Sequence, residues 1–151
     1  MQLEPQTDDE LLMMLRVVLD TNVLVSALIS DGKPRSLLRK VALKEFIMVT
    51  SDLLMGEFVA VIGRSKFKVD ADQISRQVYA LMQIAKMVEV VSEFKVVERD
   101  FKDNMVLETA YDGKADFIVS GDDHLLSLKR FRGITIVSVK EMLNYIEENG
   151  S

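Results

Sequence analysis

Apolar residues along the chain fall into two kinds of run that alternate. Short runs rich in Val and Ile are typical of strands buried on both faces of a sheet. These runs lie at residues 17–19, 46–50, 116–120 and 134–138. Longer stretches with apolar residues three or four positions apart predict amphipathic helices. These stretches lie at residues 22–29, 36–45, 51–63, 70–87, 103–111 and 139–148.

Two further segments complete the predicted order of elements. Residues 88–91 form a weaker candidate strand, and residues 122–131 a short helix. About five buried strands that alternate with helices predict an α/β fold, in which helices cover both faces of a parallel sheet. No internal repeat and no linker rich in Pro, Gly or Ser divides the chain. We therefore expect a single domain over residues 16–151, preceded by an arm, residues 1–15, to which no role is assigned.

Composition narrows the chemistry that is available to this domain. The 151 residues include no Cys and a single His, which excludes a thiolate metal site, a thiol nucleophile and a zinc site of several imidazoles. Any metal must be held by oxygen, which favours Mg²⁺, Mn²⁺ or Ca²⁺. The net charge of −5 argues against a protein that coats nucleic acid. With neither a signal peptide nor a membrane-spanning run in the sequence, we expect a cytoplasmic protein.

Acidic residues follow two of the predicted strands directly. Asp20 begins a "DTN" triplet after the first strand, and "SGDD" at residues 120–123 follows the strand at 116–120. Because the carboxyl ends of parallel strands meet at one edge of the sheet, we expect both groups to lie there, where ligands bind in open α/β sheets. Asp20 is equally consistent with a helix cap, and either Asp122 or Asp123 could cap the next helix.

Two more acids could join this edge. Glu57 lies in the helix after the second strand, and Asp103 opens the helix after "ERDFK". Taken alone, Glu57 is consistent with a solvated helix face, and Asp103 with a cap that suits the helix dipole. A cluster of carboxylates repels itself unless a cation lies among them, and Mg²⁺ or Mn²⁺ prefers such ligands. Two such ions can clamp the attacking and leaving oxygens of a phosphoryl displacement.

Four stretches of the chain, taken in order, carry a resemblance to a known family. "VVLDTNVLVSAL", "SDLLMGEF", "DFKDNMVLETA" and "ADFIVSGDDHLL" resemble the PIN (PilT N-terminus) domain, and more closely its branch of toxins from toxin–antitoxin pairs. The resemblance covers residues 16 to about 146. It implies a three-layer PIN-like fold and a metal-dependent ribonuclease.

The resemblance also assigns roles to residues of this sequence. It implies that Asp20, Glu57, Asp103 and Asp122 are the catalytic ligands of Mg²⁺ or Mn²⁺. Asn22 matches the position that orients the first carboxylate, Thr21 and Ser120 match polar neighbours of the site, and Asp123 is the alternative to Asp122. The implied partners are an RNA substrate, an antitoxin protein and a second copy of the chain in a homodimer.

Basic residues are the candidates for holding the RNA. They cluster in "KPRSLLRK" and "RSKFK", from which Arg35, Arg39 and Lys66 are the predicted phosphate contacts. Each of them is also consistent with a solvated helix or loop. Beyond Phe67 these clusters offer no aromatic platform, so we expect little base-specific recognition.

Other functions remain as alternatives at this point. A PIN-like module without catalysis could bind RNA or protein through the same pocket. A phosphatase of the haloacid-dehalogenase type fits less well, because it needs a second Asp where Asn22 stands. A receiver domain also fits less well, because its paired acids follow the first strand, whereas Asp122 and Asp123 come late.

Overall fold

The computed structural model describes residues 14–95 and 101–149. It is an α/β structure whose strands and helices alternate along most of the chain. The strands are β1 (Arg16–Leu19), β2 (Ile47–Thr50), β3 (Ala85–Met87), β4 (Phe117–Val119), β5 (Arg130–Phe131) and β6 (Ile134–Val137). The helices are α1 (Thr21–Ile29), α2 (Lys33–Ala42), α3 (Asp52–Ile62), α4 (Ala71–Ile84), α5 (Phe101–Asp112), α6 (Asp123–Leu126) and α7 (Val139–Asn149).

The strands form one six-stranded sheet in the order β3-β2-β1-β4-β6-β5. All neighbouring strands are parallel except β5 and β6, which form an antiparallel hairpin at one edge. The predicted α/β fold with a parallel sheet is therefore confirmed. The sixth strand was not predicted, because β5 has two residues and falls inside the segment expected to be helical. Its hairpin turns through Arg132 and Gly133, both at positive φ, which matches the right-handed twist of the strands.

Each face of the sheet is covered by its own apolar cluster. Val17 and Leu19 of β1 point into a cluster that α1, α2, α3 and α7 share, whereas Val18 points into a cluster formed with α5. This alternation is what a strand between two helical layers requires. Of the predicted arm, residues 1–13 lie outside the described residues, but Leu15 already packs on the first cluster and its carbonyl accepts a hydrogen bond from the Ile47 N–H.

The third strand lies earlier than predicted. The strand occupies Ala85–Met87, so the preceding helix ends at Ile84 and the predicted strand at 88–91 is wrong. Of these four residues, Val88 continues the pairing with β2, because its N–H donates a hydrogen bond to the Thr50 carbonyl. The backbone N–H groups of Val91 and Ser92 instead donate to one oxygen of Asp112 on α5, at 2.7 and 2.9 Å. A side chain therefore satisfies donors that a strand would have used.

The Asp112 carboxylate is held in its charged form by this segment. Burial raises the pKa of Asp112, but the hydrogen bonds from the Ser92 hydroxyl, the Ser92 N–H and the Val91 N–H outweigh burial and lower that pKa below its ordinary value. The hydroxyl bond is the shortest, at 2.6 Å. Asp112 thus ties the segment after β3 to the end of α5.

Gly113, which follows α5, is packed without room for a side chain. A Cβ atom there would lie 2.5 Å from Val49 Cγ1 and 2.8 Å from the Thr109 carbonyl oxygen. These distances are shorter than van der Waals contact, so the close approach of α5 to β2 depends on glycine. In contrast, a Cβ at Gly56 of α3 would meet nothing within 4 Å.

Two predicted helices also differ in their bounds. The helix expected to open at Asp103 is described from Phe101, which places Asp103 within its first turn. The short helix expected over residues 122–131 is confined to Asp123–Leu126, because the chain must turn there to enter the hairpin. In the two stretches of chain that the structure describes, no helix is both long and apolar enough to cross a membrane.

Candidate active site

Asp20 and Ser120 are brought together by the pairing of β1 with β4. Leu19 lies opposite Val119 in this parallel pair, so the next residue of each strand reaches the same edge. The Ser120 hydroxyl donates to Asp20 Oδ2 at 2.7 Å, and both residues are buried. Asp20 is the N-cap residue of α1 by position, but its side chain makes no capping hydrogen bond. The simple capping alternative therefore does not explain this carboxylate.

Ser120 also fixes the loop that carries the fourth acid. Its Oγ accepts a hydrogen bond from the Asp122 N–H at 3.0 Å. Asp122 caps α6 through Oδ1, which accepts from the His124 N–H at 2.7 Å, and it lines the cleft beside Asp20. Asp123 is exposed and is not among the residues that line the cleft. Of the two neighbouring aspartates, Asp122 is thus the one placed at the cleft.

Glu57 reaches the cleft from α3, which Ser51 positions. The Ser51 hydroxyl accepts from the Leu54 N–H at the start of α3 and shares a buried 2.8 Å hydrogen bond with Thr109 of α5. The two helices that carry Glu57 and Asp103 are therefore tied to each other. The Glu57 side chain is 17 % exposed, and its Oε1 pairs with Lys102 Nζ at 2.8 Å.

Asp103 lies in the first turn of α5 and is 4 % exposed. It begins a run of eight buried residues, 103–110, so this helix is enclosed on nearly all sides rather than amphipathic. An acid in such a run is either a cap or part of a site, and Asp103 lies on the wall of the cleft. A carboxylate that is buried near other acids is stabilised when a cation binds beside it.

The acids line one polar cleft of about 250 Å³ at the carboxyl edge of the sheet. Four separate segments of the chain form its walls. Its lining residues are Asp20, Thr21, Asn22, Leu54, Glu57, Val61, Arg64, Lys102, Asp103, Met105 and Asp122. The structure thus gathers the four predicted acids in one place, with Thr21 and Asn22 beside them and Ser120 directly behind Asp20.

The donor atoms that line the cleft are of the kind that bind a hard divalent cation. Carboxylate oxygens are the ligands that Mg²⁺ and Mn²⁺ prefer, and no softer donor lines the cleft apart from the thioether of Met105. Among residues 14–95 and 101–149, no three acidic or His side chains already converge on one point. Glu57 is turned towards Lys102 and Asp122 towards the start of α6.

The predicted phosphate contacts lie elsewhere. Arg35 donates to the carbonyls of Ala27 and Leu28, both at 2.9 Å, and so satisfies acceptors in the last turn of α1. Arg39 pairs with Asp31 at 3.5 Å. Lys66 stacks over a neighbouring phenyl ring. None of these three side chains lines the cleft.

Arg64 and Lys102 line the cleft instead. Arg64 belongs to the predicted basic cluster "RSKFK" but was not one of the three selected contacts, and Lys102 belongs to neither basic cluster. A further signal for Arg64 was its spacing, because it lies two residues past the end of α3 and continues the interval of residues 54, 57 and 61 on one face of that helix. That spacing carries Arg64 to the same side as Glu57. For Lys102 the only signal was its place beside Asp103 in the chain.

Comparisons with known proteins agree with this architecture. The model of the PIN domain family matches residues 16–124. The uncharacterized protein MJ1680 of Methanocaldococcus jannaschii is 30 % identical over 119 residues, which cover 76 % of each chain.

Two solved structures are similar in fold. One is a chain of VapBC2 from Rickettsia felis, which was solved bound to a DNA fragment from its promoter. It aligns with a TM-score of 0.60 at 13 % identity, over 82 % of this chain and 98 % of that chain. PAE2754 from Pyrobaculum aerophilum aligns with a TM-score of 0.59 at 19 % identity, over 96 % and 100 % of the two chains. At these identities the solved structures show the fold alone, whereas the family match rests on the sequence. The chain belongs to the PIN domain family, whose members are generally nucleases.

Proposed function

We propose that this PIN domain is a Mg²⁺- or Mn²⁺-dependent endoribonuclease that hydrolyses RNA phosphodiester bonds in the acidic cleft. The observation that supports this most is that four carboxylates from four separate segments line one cleft. Residues chosen only to cap their own helices would have no reason to face a common space. Carboxylates that line one cleft repel each other, so one or two cations bound among them would explain the arrangement.

In this proposal Asp20, Glu57, Asp103 and Asp122 hold the ion or ions. When bound, such an ion activates water as the nucleophile and stabilises the charge that develops on the phosphate. Ser120 orients Asp20 through its 2.7 Å hydrogen bond and also holds the backbone of Asp122. A ligand that is oriented by a buried partner keeps its geometry, which is the usual role of groups just outside a metal site.

The substrate is held by cations at the mouth of the same cleft. Arg64 and Lys102 are exposed and stand beside the acids, where they can contact phosphates on either side of the bond that is cut. Thr21 and Asn22 add polar side chains to the same wall. Contacts of this kind bind the phosphate backbone of the RNA and do not distinguish between bases, so we expect cleavage with weak base preference.

The test is cleavage of labelled single-stranded RNA by the purified full chain, with Mg²⁺, with Mn²⁺ or with EDTA. We expect cleavage only with a divalent ion. Asp20→Asn should lower the rate by at least about 100-fold, because loss of a ligand exceeds the 10–100-fold effect typical of residues behind a ligand. Asp72→Asn is the matched control, since Asp72 is exposed in α4 and does not line the cleft.

Three outcomes would count against the proposal. Cleavage that survives EDTA or persists in Asp20→Asn would place the activity elsewhere. Mn²⁺ binding without any cleavage would favour the alternative of a PIN-like module that binds RNA or protein without catalysis.

The biological role that we propose is the toxin of a type II toxin–antitoxin pair, acting in the cytoplasm as a homodimer. The family resemblance and the similarity in fold to a chain of VapBC2 support this role. Induced expression in bacteria should slow growth with the wild-type chain but not with Asp20→Asn, and co-expression with the product of an adjacent small reading frame should restore growth. Light scattering should give twice the mass of 17.1 kDa for the purified chain.

A further inference from the structure

The ion pair between Lys102 and Glu57 occupies one of the carboxylates assigned to metal binding. Lys102 Nζ lies 2.8 Å from Glu57 Oε1, within hydrogen-bond distance. The Glu57 side chain is 17 % exposed and that of Lys102 is 55 % exposed. The acid is therefore held at the wall of the cleft, while the lysine reaches it from the mouth.

A lysine is well suited to hold this place temporarily. Its ammonium is a compact charge with three donors on a flexible stem, and an ion pair with one exposed partner contributes only about 1 kcal/mol of stability. Such a pair can open without disturbing the fold. A divalent ion that binds Glu57 competes with the ammonium, because two cations held at one carboxylate repel each other.

We propose that Lys102 is a displaceable internal cation. Without a divalent ion it pairs with Glu57 and offsets the repulsion among the cleft carboxylates. When an ion binds Glu57 the pair opens, and the ammonium is released at the mouth of the cleft, where it contacts a phosphate of the RNA. Metal loading and substrate binding are thereby linked through one side chain. This inference rests on the proposed function, since it needs Glu57 to be a metal ligand.

Arg64 provides the matched comparison. It lines the same cleft and carries the same charge, but the ion pairs found among residues 14–95 and 101–149 do not include it. Removing either cation makes the cleft more negative by one charge. Only the removal of Lys102 also frees a carboxylate that is already paired. The difference between the two variants therefore isolates competition for Glu57 from the general effect of charge.

The experiment is a calorimetric titration of the full chain with Mn²⁺, using the wild type, Lys102→Met and Arg64→Met. If the ion pair is closed for about nine-tenths of the time, it lowers the apparent Mn²⁺ affinity about tenfold. We expect Lys102→Met to bind Mn²⁺ about tenfold more tightly than the wild type. The Mn²⁺ affinity of Arg64→Met should rise by at most about threefold. At saturating Mn²⁺, Lys102→Met should bind RNA more weakly, so the two effects have opposite signs.

A double-variant cycle tests the assignment to Glu57. In a Glu57→Gln background, Lys102→Met should change Mn²⁺ affinity no more than Arg64→Met does, because no carboxylate remains to be freed. Thermal unfolding monitored by circular dichroism without metal should show that each variant is folded. In the presence of Mn²⁺, the Tm of Lys102→Met should rise more than that of the wild type.

The outcomes separate this inference from the proposed function. Wild-type chain that binds Mn²⁺ and cleaves RNA, with equal shifts in Lys102→Met and Arg64→Met, would overturn the role of Lys102 and leave the nuclease intact. An effect of Lys102→Met that persists in Glu57→Gln would overturn it as well. Wild-type chain that binds no Mn²⁺ would remove the proposed function and this inference together.

Discussion

Replacing Ser120 with alanine removes a hydroxyl that joins two of the cleft acids. Ser120 is completely buried, and its Oγ donates to Asp20 Oδ2 and accepts from the Asp122 N–H. The first bond is to a buried carboxylate oxygen, since Asp20 is 7 % exposed. A hydrogen bond to a charged group contributes about 1.5–3 kcal/mol and a neutral one about 1 kcal/mol. We therefore expect Ser120→Ala to lower the free energy of unfolding by about 2–4 kcal/mol.

The same variant should weaken metal binding. Without the hydroxyl, Asp20 is no longer oriented and the loop before Asp122 is less restrained, so Mn²⁺ affinity should fall by about 10–100-fold. Urea unfolding measures the first effect and calorimetry the second. Ser127→Ala is the control, because Ser127 is exposed and its hydroxyl donates only to the nearby His124 carbonyl.

The reasoning would be refuted by a Ser120→Ala variant as stable as the wild type to within about 0.5 kcal/mol, the range expected for an ordinary surface change. Unchanged Mn²⁺ affinity in a destabilised variant would refute the second part alone. In that case Ser120 would support the loop but would not orient the ligand.

Three further predictions concern the packing, the pH dependence and the identity of the fourth acid. Gly113→Ala should lower the free energy of unfolding by about 1–3 kcal/mol through overpacking, whereas Gly56→Ala in an open helix position should raise it by about 0.5–1 kcal/mol, both by urea unfolding. The pKa of Asp112 is lowered on folding, so its hydrogen bonds stabilise the fold above the ordinary aspartate pKa of about 4, and this stability is lost as the pH falls through the lower folded value. The Tm of the wild type should therefore fall more steeply below about pH 4 than that of Asp112→Asn, and parallel curves would contradict the assignment. Asp122→Asn should abolish RNA cleavage while Asp123→Asn leaves it within about threefold, and the reverse order would assign the site to Asp123.

The acidic edge could be predicted because it depends on topology rather than on side-chain detail. A parallel sheet places the ends of its strands at one edge, so residues after β1 and β4 had to share that edge. They lie close together because the two strands are neighbours in the sheet. The hydrogen bond from Asp20 N–H to the Val119 carbonyl continues this pairing beyond the strand ends. The positions of Asp20 and Asp122 therefore follow from the pattern of apolar runs.

Other features depend on contacts that a linear pattern does not contain. The valines after β3 have strand propensity, but the carboxylate of Asp112 accepts from the backbone N–H groups of Val91 and Ser92. The two residues of β5 are too few for a periodicity to appear. Which cations enter the cleft depends on how the chain leaves α3 for Arg64 and on side-chain conformation for Lys102. The basic clusters in the sequence included Arg64 but did not distinguish it from Arg35.

The most direct test of the metal-dependent site is the anomalous scattering of Mn²⁺ in crystals of the wild-type chain. We expect one or two Mn²⁺ peaks in the cleft, held by the carboxylates of Asp20, Glu57, Asp103 and Asp122, with Lys102 moved away from Glu57. The peaks should be lost in Asp103→Asn. Strong Mn²⁺ peaks at another place on the protein, or peaks in the cleft that Asp103→Asn leaves unchanged, would contradict the assignment of these carboxylates.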